Sequence, residues 1–271
     1  MSRIRIVTIN TAKGDFDYSS RLPWLSHSLR ELQPDIVLLQ ESLATLDGEL
    51  DTARTLTSGL QFEYVYAPAR RKSRLVDGRD RDSYSGLAVL SRFPIAESVV
   101  VQLPADVADG ERIGLLVRIA IGDQRFLLVN VHLTHLSGSD VAATRRAEFV
   151  KLLSHPWFLT PGDVALVGGD FNTSLSELAT VIDEQTGFDV RDSWGVGGGS
   201  GSRATVPVYI SPEDSRGRCL DYLLSVAVLG VAHPAFEDSA IVLGGAAADG
   251  RYPSDHRGIA TSLLLNGTTE K

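Results

Sequence analysis

Short, continuous runs of apolar residues constrain the fold of this chain more than any other feature. The runs at 36–39 (IVLL) and 126–129 (FLLV) contain no alternating polar residue. A strand of this kind is covered on both faces, because a strand with one face in water alternates apolar and polar residues. We therefore predict a layered α/β fold whose sheets pack between helices and against each other. Predicted strands cover residues 4–9, 35–40, 86–91, 113–121, 126–131, 164–167, 220–226 and 258–265.

Two amphipathic stretches predict helices between these strands. In the first, leucines recur at three- and four-residue steps from Leu22 to Leu32, with Ser20 as the N-cap and Pro34 as the stop. The second covers residues 141–154, and its predicted inward side chains are Ala142, Phe149, Leu152 and Leu153. Segments 69–83, 195–202 and 211–217 are polar or glycine-rich, so we predict loops there.

The charge balance limits how this chain can handle nucleic acid. The 26 Lys and Arg residues against 34 Asp and Glu leave a net charge of −8. Tight, sequence-blind coating of nucleic acid is excluded, because it needs a basic surface. Only segment 69–83 is locally basic, with six Arg or Lys residues against three Asp. It is interpreted either as a solvated loop balanced by its own aspartates or as a contact for substrate phosphates.

Cysteine usage and hydropathy place further limits. A single cysteine, Cys219, excludes an internal disulfide framework and a cysteine-built zinc site. The amino terminus shows no signal-peptide pattern, and the longest uncharged stretch, 222–236, is shorter than the roughly 20 residues of a spanning helix. We expect a monomeric cytoplasmic protein without stable membrane insertion, folded as one domain over residues 1–271.

Polar residues of a few kinds recur at the edges of the predicted strands. Strand ends in a layered sheet converge on one rim, where α/β proteins place their sites. Oxygen-rich sets of this kind suit Mg²⁺ and phosphoryl chemistry. The set contains four carboxylates, two imidazoles and two carboxamides: Asn10, Glu41, His132, Asp170, Asn172, Asp221, Asp255 and His256.

Six short motifs carry these residues in a fixed order. They are TIN at 8–10, LQES at 39–42, NVHL at 130–133, GGDFN at 168–172, LDY at 220–222 and SDH at 254–256. Together they resemble the endonuclease/exonuclease/phosphatase family, the deoxyribonuclease I-like metal-dependent phosphoesterases. The resemblance spans residues 8 to 256. It implies a four-layer α/β/β/α sandwich, with two mixed β-sheets packed face to face and helices outside.

The resemblance also implies a metal site and its ligands. Glu41 is expected to be the principal Mg²⁺ ligand, with Asn10 and Asp255 completing or supporting the site. Mn²⁺ is expected to substitute for Mg²⁺. Many relatives have a second acidic or amide side chain where this chain has Ala12, which leaves the number of metals open.

Catalytic roles follow from the same resemblance. Asp170 would activate or position the attacking water, or protonate the leaving group, and Asn172 would orient that water and donate to the phosphate. His256, held by Asp221, would stabilise the charge of the transition state, and His132 would contact the phosphate from the other side. Where relatives commonly have Arg or Lys two residues before Asp221, this chain has Cys219.

The predicted activity is Mg²⁺-dependent hydrolysis of a phosphodiester in DNA, RNA or a nucleotide-like molecule. Sphingomyelinase-like and inositol-phosphate substrates are the alternatives within this chemistry. A catalytically silent module that binds phosphate or a partner is the alternative from another class. Specificity is expected in loops over the common site, at 69–83, 137–140 and 195–217.

Overall fold

The computed structural model describes residues 3–105, 109–136, 141–183, 187–207, 210 and 217–265. Its strands are β1 (Arg3–Asn10), β2 (Ile36–Thr45), β3 (Glu63–Val76), β4 (Arg79–Ser91), β5 (Ile95–Gln102), β6 (Ile113–Ile121), β7 (Gln124–His132), β8 (Asp163–Asp170), β9 (Phe188–Asp192), β10 (Asp221–Val228), β11 (Phe236–Val242) and β12 (Gly258–Leu264). Its helices are α1 (Tyr18–Leu32), α2 (Thr52–Leu60), α3 (Val141–Leu153), α4 (Leu175–Asp183) and α5 (Ser193–Val196), with a 3₁₀ turn at Pro156–Leu159.

The strands form two six-stranded mixed sheets. The first has the order β11-β12-β1-β2-β4-β3 and the second has the order β5-β6-β7-β8-β10-β9. One parallel pair lies inside each sheet, β1 with β2 and β7 with β8, and the remaining pairs are antiparallel. Helices α1 and α3 connect the two parallel pairs. The carboxyl ends of four strands are thereby brought to one edge of the molecule.

Three buried clusters separate four layers, which confirms the predicted fold class. Ile4 and Ile6 of β1 pack between the two sheets, whereas Val7 and Ile9 of the same strand pack under α1 and α2. In the second sheet Leu128 faces the first sheet, and the neighbouring strand positions face α3. Continuous apolar runs thus bury both faces of the central strands, as the sequence predicted.

A polar contact crosses the interior between the sheets. Gln40 Nε2 of β2 donates to Asn130 Oδ1 of β7 at 2.7 Å. Asn130 Nδ2 in turn donates to the carbonyls of Leu39 and Ala88, each at 2.8 Å. Both amide side chains are fully buried. Two of the six motifs therefore contribute to joining the sheets as well as to the edge where the polar residues meet.

The predicted loop at 69–83 is wrong: this segment forms the outer half of a β-hairpin. Strands β3 and β4 pair as far as Val76 and Arg79, leaving a two-residue turn at Asp77 and Gly78. Both turn residues have positive φ, 48° and 76°, as a type I′ turn requires. The Asp-Gly pair was a readable hairpin signal, which the many charged residues around it obscured.

Smaller differences concern the helices and the other segments. Helix α1 has Asp17 rather than Ser20 as its N-cap, and it ends before Pro34 as predicted. In α3 Ala142 is exposed, while Phe149, Leu152 and Leu153 are buried as expected. The start of the predicted loop 195–202 belongs to the short helix α5. The predicted segments 137–140 and 211–216 lie outside the described residues.

No helix within the described ranges is long and apolar enough to cross a bilayer.

Candidate active site

The carboxyl ends of the two parallel strand pairs meet around one cleft of about 420 Å³. Asn10 ends β1, Glu41 lies in β2, His132 ends β7 and Asp170 ends β8. Seven of the eight predicted site residues line this cleft, and Asp221 lies behind it, bonded to His256. The predicted convergence of these residues on one rim is therefore present.

Asp170 lies at the centre of the site. Its Oδ2 accepts a hydrogen bond from Asn10 Nδ2 at 3.0 Å and lies 3.7 Å from His132 Nε2 and 3.8 Å from His256 Nε2. Its Oδ1 accepts the backbone N–H of Asn172 at 2.9 Å. Burial and the nearby carboxylate of Asp221 raise the pKa of Asp170 to about 7. This carboxyl group can therefore exchange a proton near neutral pH.

Two glycines allow β8 to deliver Asp170 to this position. A Cβ on Gly169 would lie 2.0 Å from the Val131 carbonyl oxygen, and its φ of 142° is one that other residues rarely adopt. A Cβ on Gly168 would collide with Leu223 and Leu38. The glycines therefore serve close packing within strand β8 rather than a turn.

Asp221 and His256 form a buried acid–base pair beside Asp170. His256 Nδ1 lies 2.8 Å from Asp221 Oδ2. Burial lowers the pKa of His256, but the carboxylates of Asp221 and Asp170 outweigh burial and raise it to about 10. The ring is thus a cation at neutral pH. The other oxygen of Asp221, Oδ1, has no hydrogen-bond partner among the described residues.

His132 has the opposite electrostatic character. Burial lowers its pKa well below the usual range, and the positive charges of Arg112 and Lys13 lower it further. The two histidines on either side of Asp170 are therefore in different protonation states at neutral pH, one charged and one neutral. Environments that separate pKa values in this way are typical of acid–base sites.

Asn172 and Asn10 are held by short local bonds. Asn172 has a left-handed backbone with φ of 52°, and its Nδ2 donates to the Leu133 carbonyl at 3.0 Å. Asn10 Oδ1 accepts the N–H of Ala12 at 3.0 Å. Since Asn10 also donates to Asp170, its carboxamide connects the end of β1 with the centre of the site.

Glu41 reaches the cleft from a β-bulge. The pairing of β2 with β4 shifts register between Leu39 and Ser42, and Glu41 within that gap has a left-handed φ of 51°. This conformation costs about 1 kcal/mol or more for a non-glycine residue. Its Oε1 lies 2.7 Å from Lys13 Nζ. The Glu41 carboxylate therefore already faces a positive charge in the cleft, that of the Lys13 ammonium.

Asp255 lies in a loop that is connected to the end of β1. Ser254 Oγ donates to the Asn10 carbonyl at 2.6 Å and also contacts Asp255 Oδ1 at 3.2 Å. The buried guanidinium of Arg21 donates to the Pro253 carbonyl and to four carbonyls of the loop after β1. Arg21 thereby holds the segments that carry Asn10 and Asp255.

Two groups of oxygen and nitrogen ligands are candidates for a metal. Ligand atoms of Asp170, Asp221 and His256 lie within 4.8 Å of one another. In this first group, however, His256 Nδ1 is already bonded to Asp221 Oδ2 at 2.8 Å, so two of the three side chains satisfy each other. Glu41, Asn10 and Asp255 line the same cleft and offer hard oxygen ligands, which divalent cations such as Mg²⁺ prefer. The second group fits a metal better.

Several lining residues were missed by the sequence analysis. Arg112 is bonded to Asp109 through two nitrogens, at 2.8 and 2.6 Å, and donates to the His132 carbonyl at 3.3 Å. His135 Nδ1 lies 2.7 Å from Asp109 Oδ1. The sequence carries one indication of these residues, because His135 lies three positions after the predicted site residue His132. Asp109 and Arg112 lie in no motif, and neither does Lys13.

This four-layer fold with a carboxylate-rich cleft between its sheets is of the deoxyribonuclease I-like type. The model of the endonuclease/exonuclease/phosphatase family matches residues 7–256, which is most of the chain. The chain belongs to this family, which confirms the resemblance in the motifs. Enzymes of the family are metal-dependent phosphoesterases. None of the curated proteins matches the chain in sequence.

Solved structures show the same fold at low sequence identity. D. rerio TDP2 complexed with single strand DNA product is 20% identical, with a TM-score of 0.74 over 98% of this chain and 100% of that one. An endonuclease/exonuclease/phosphatase family protein from Leptotrichia buccalis is 17% identical, with a TM-score of 0.73 over 97% and 100%. A functionally unknown conserved protein from Enterococcus faecalis is 21% identical, with a TM-score of 0.72 over 97% and 100%.

Proposed function

We propose that this chain is a Mg²⁺-dependent phosphodiesterase that hydrolyses nucleic acid or a nucleotide-like substrate, with Mn²⁺ as a substitute ion. The observation that carries the proposal is the position of Asp170 between a charged and a neutral histidine. Asn10, which the proposal assigns to the metal site, donates to the same carboxyl group. A likeness in fold to a TDP2 structure that contains a single strand DNA product supports the nucleic-acid substrate.

Glu41, Asn10 and Asp255 would hold the ion. Glu41 presents its carboxylate to the cleft and is paired only with the Lys13 ammonium among the described residues. Two carboxylates and one carboxamide leave room for water and substrate oxygens, as Mg²⁺ requires. When bound, the ion would supply Lewis-acid polarisation of a phosphate oxygen.

Asp170 would position the attacking water and accept its proton. Its pKa of about 7 leaves a substantial ionised fraction at neutral pH, and the Asn172 N–H fixes the orientation of the carboxyl group. The second N–H of the Asn172 side chain, beyond the one given to Leu133, would donate to the water or to a phosphate oxygen.

His256 would stabilise negative charge on the phosphate as the water attacks. Asp221 keeps the ring protonated and aligned through Nδ1, so that Nε2 points toward Asp170 and the cleft. His132, which is neutral, would donate to another phosphate oxygen from the opposite side. A preorganised cation and amide donors are what a phosphorane-like transition state needs.

Hydrolysis of bis-p-nitrophenyl phosphate tests the proposal. We expect turnover with Mg²⁺ or Mn²⁺, loss of turnover with EDTA, and a loss of at least about 100-fold in Asp170→Asn. Asp163→Asn is the matched control, because the Asp163 side chain is only 3% exposed and lies at the other end of β8, paired with Arg118 and Arg125. Equal, metal-independent rates in all samples would contradict the proposal and favour the catalytically silent module.

We also propose that residues 1–271 act as one monomeric domain. Both sheets contribute to the cleft and to the buried Gln40–Asn130 contact, so neither sheet holds the site alone. A molecular mass of about 29.2 kDa by light scattering would support this.

A further inference from the structure

Strand β3 presents a row of cations to the cleft. After the register shift between Pro68 and Arg70, alternate residues of the strand share one face. Arg70, Lys72 and Arg74 are such alternate residues, and all three line the cleft with the proposed catalytic groups. The locally basic segment is therefore part of the wall of the site.

The carboxylates of the same hairpin do not balance this row. Asp82 pairs with Arg71 on the opposite face at 3.1 Å, and the Asp77 carboxylate accepts the Ser19 N–H. Within the described ranges, no carboxylate lies within 4.0 Å of a side-chain nitrogen of Arg70, Lys72 or Arg74, whereas Arg81 of β4 pairs with two acidic residues. The aspartates of segment 69–83 therefore balance the arginine on the face that points away from the cleft, Arg71, but not the cations on the face that lines the cleft.

The hairpin is anchored at its tip, so the row of cations has a fixed place. Val76 is buried in the cluster under α1, and a Cβ on Gly14 would touch it. Arg74 braces the strands, because it donates to the Ser83 carbonyl at 2.8 Å and to the Arg70 carbonyl at 3.1 Å. Arg70 and Lys72 line the cleft without an ion-pair partner among the described residues, so their charges can contact a ligand. A preorganised cationic wall avoids the entropy of ordering a loop on binding.

We propose that this face of β3, which we call the cationic wall, binds the phosphates that flank the scissile phosphate on a single nucleic-acid strand, with Arg70 and Lys72 making the contacts. The inference rests on the proposed function and names its substrate more closely. The four residue-to-residue steps from Arg70 to Arg74 extend about 13 Å along the strand, which is longer than one phosphate group. A substrate with a single phosphodiester would leave part of the wall without a partner.

Size and charge favour one strand. The cleft volume of about 420 Å³ lies in the range of pockets that hold one small molecule, and a single nucleotide of an unpaired strand is of that size. A net charge of −8 repels a polyanion at long range, so attraction must come from a local basic surface. The cationic wall supplies that surface beside the proposed catalytic residues.

The test compares a long and a small substrate in matched variants. Arg70→Ala/Lys72→Ala removes the two proposed contacts, and Arg71→Ala removes the intervening arginine on the opposite face. The substrates are a single-stranded DNA of about 12 nucleotides and bis-p-nitrophenyl phosphate, with kcat/KM measured from about 50 to about 200 mM salt.

We expect the double variant to lose at least tenfold more kcat/KM on the oligonucleotide than on the small diester. The slope of log kcat/KM against log salt should become shallower by about 1.4, since each phosphate neutralised on a single strand contributes about 0.7. Arg71→Ala should keep the activity and slope of the unmodified protein. Equal losses on both substrates, or a loss in Arg71→Ala as large as in the double variant, would overturn the inference.

Binding separates this inference from the proposed function. If the unmodified protein hydrolyses neither substrate, the proposed function fails, and fluorescence polarisation with the labelled oligonucleotide still tests the cationic wall. Weaker binding by the double variant than by Arg71→Ala supports the inference. Equal binding by both variants, or binding of inositol hexakisphosphate without binding of the oligonucleotide, overturns it.

Discussion

His256 Nδ1 lies 2.8 Å from Asp221 Oδ2, and this contact sets the charge of the site. His256 enters from the loop before β12, and Asp221 begins β10, so the pair connects the two sheets at the cleft. Because the carboxylates of Asp221 and Asp170 outweigh burial and raise the pKa of the ring to about 10, His256 is a cation at neutral pH. A phosphate oxygen in the cleft would therefore meet a positive charge at neutral pH.

Asp221→Asn should lower the pKa of His256 by at least about one unit, because the carbonyl of Asn accepts the same hydrogen bond without a negative charge. The rate of diester hydrolysis should fall about 100-fold or more. Titration of the ring signals by NMR measures the pKa directly. Asp189→Asn is the control, since Asp189 pairs with His233 at 3.1 Å outside the cleft. An unchanged His256 titration in Asp221→Asn would contradict the assignment.

The pKa of Asp170 should be about 7 in the metal-free protein and lower when Mg²⁺ is bound. Burial and Asp221 disfavour the carboxylate, whereas a nearby divalent cation favours it. Without metal, Asp170 is protonated below about pH 7 and ionised above it. Carboxyl ¹³C titration with and without Mg²⁺ measures the two midpoints. A midpoint that does not move with Mg²⁺ would argue against a metal beside Asp170.

Glu41→Gln should weaken Mg²⁺ binding by at least about tenfold, because it removes the negative charge that faces the cation position. Isothermal titration calorimetry measures this without any substrate. Lys13→Met should strengthen binding, since the ammonium 2.7 Å from Glu41 competes with the ion. Glu49→Gln is the matched control, because Glu49 pairs with Arg81 away from the cleft. Equal Mg²⁺ affinity in Glu41→Gln and Glu49→Gln would remove Glu41 from the metal site.

Glu148→Gln should stabilise the protein at alkaline pH and leave its stability unchanged in acid. Glu148 is fully buried, and burial raises its pKa to about 7 although it accepts the Thr134 N–H. The folded state therefore binds more protons than the unfolded state between about pH 4.5 and pH 7, and stability from this group is lost as pH rises through that window.

Urea unfolding at several pH values measures the effect. The difference between Glu148→Gln and the unmodified protein should grow from near zero at pH 4.5 to on the order of 3 kcal/mol above pH 7. Glu97→Gln, an exposed change on β5, should show no such trend. A pH-independent difference for Glu148→Gln would mean that the carboxyl group does not titrate in this range.

Asn130→Ala should lower the free energy of unfolding by about 3 kcal/mol. The change leaves Gln40 Nε2 without its 2.7 Å partner and removes the donor to two carbonyls, all in the buried interior. Gln102→Ala, on an exposed strand position, should cost about 0.5 kcal/mol or less. A small cost for Asn130→Ala would show that water replaces the amide.

Much of the fold could be predicted because it depends on local patterns. The apolar runs of β2 and β7 predicted burial on both faces, and three clusters confirm it. The hairpin of β3 and β4 was missed because its outer half is charged and lacks an apolar face. Only the Asp77-Gly78 turn marked it, and a local turn does not by itself reveal which way the neighbouring arginines face.

The candidate site also has features that the sequence predicts and features that only the tertiary structure shows. By itself, the sequence determined which chemical groups lie at the strand ends and, through the order of six motifs, the family. Only the tertiary structure decided that Asp221 pairs with Asp170 in register and bonds to His256, and that Arg70 and Arg71 face opposite sides. These relations depend on distances between residues far apart along the chain and on the register of neighbouring strands. Residue type and spacing cannot specify them, because packing of the two sheets brings the groups together.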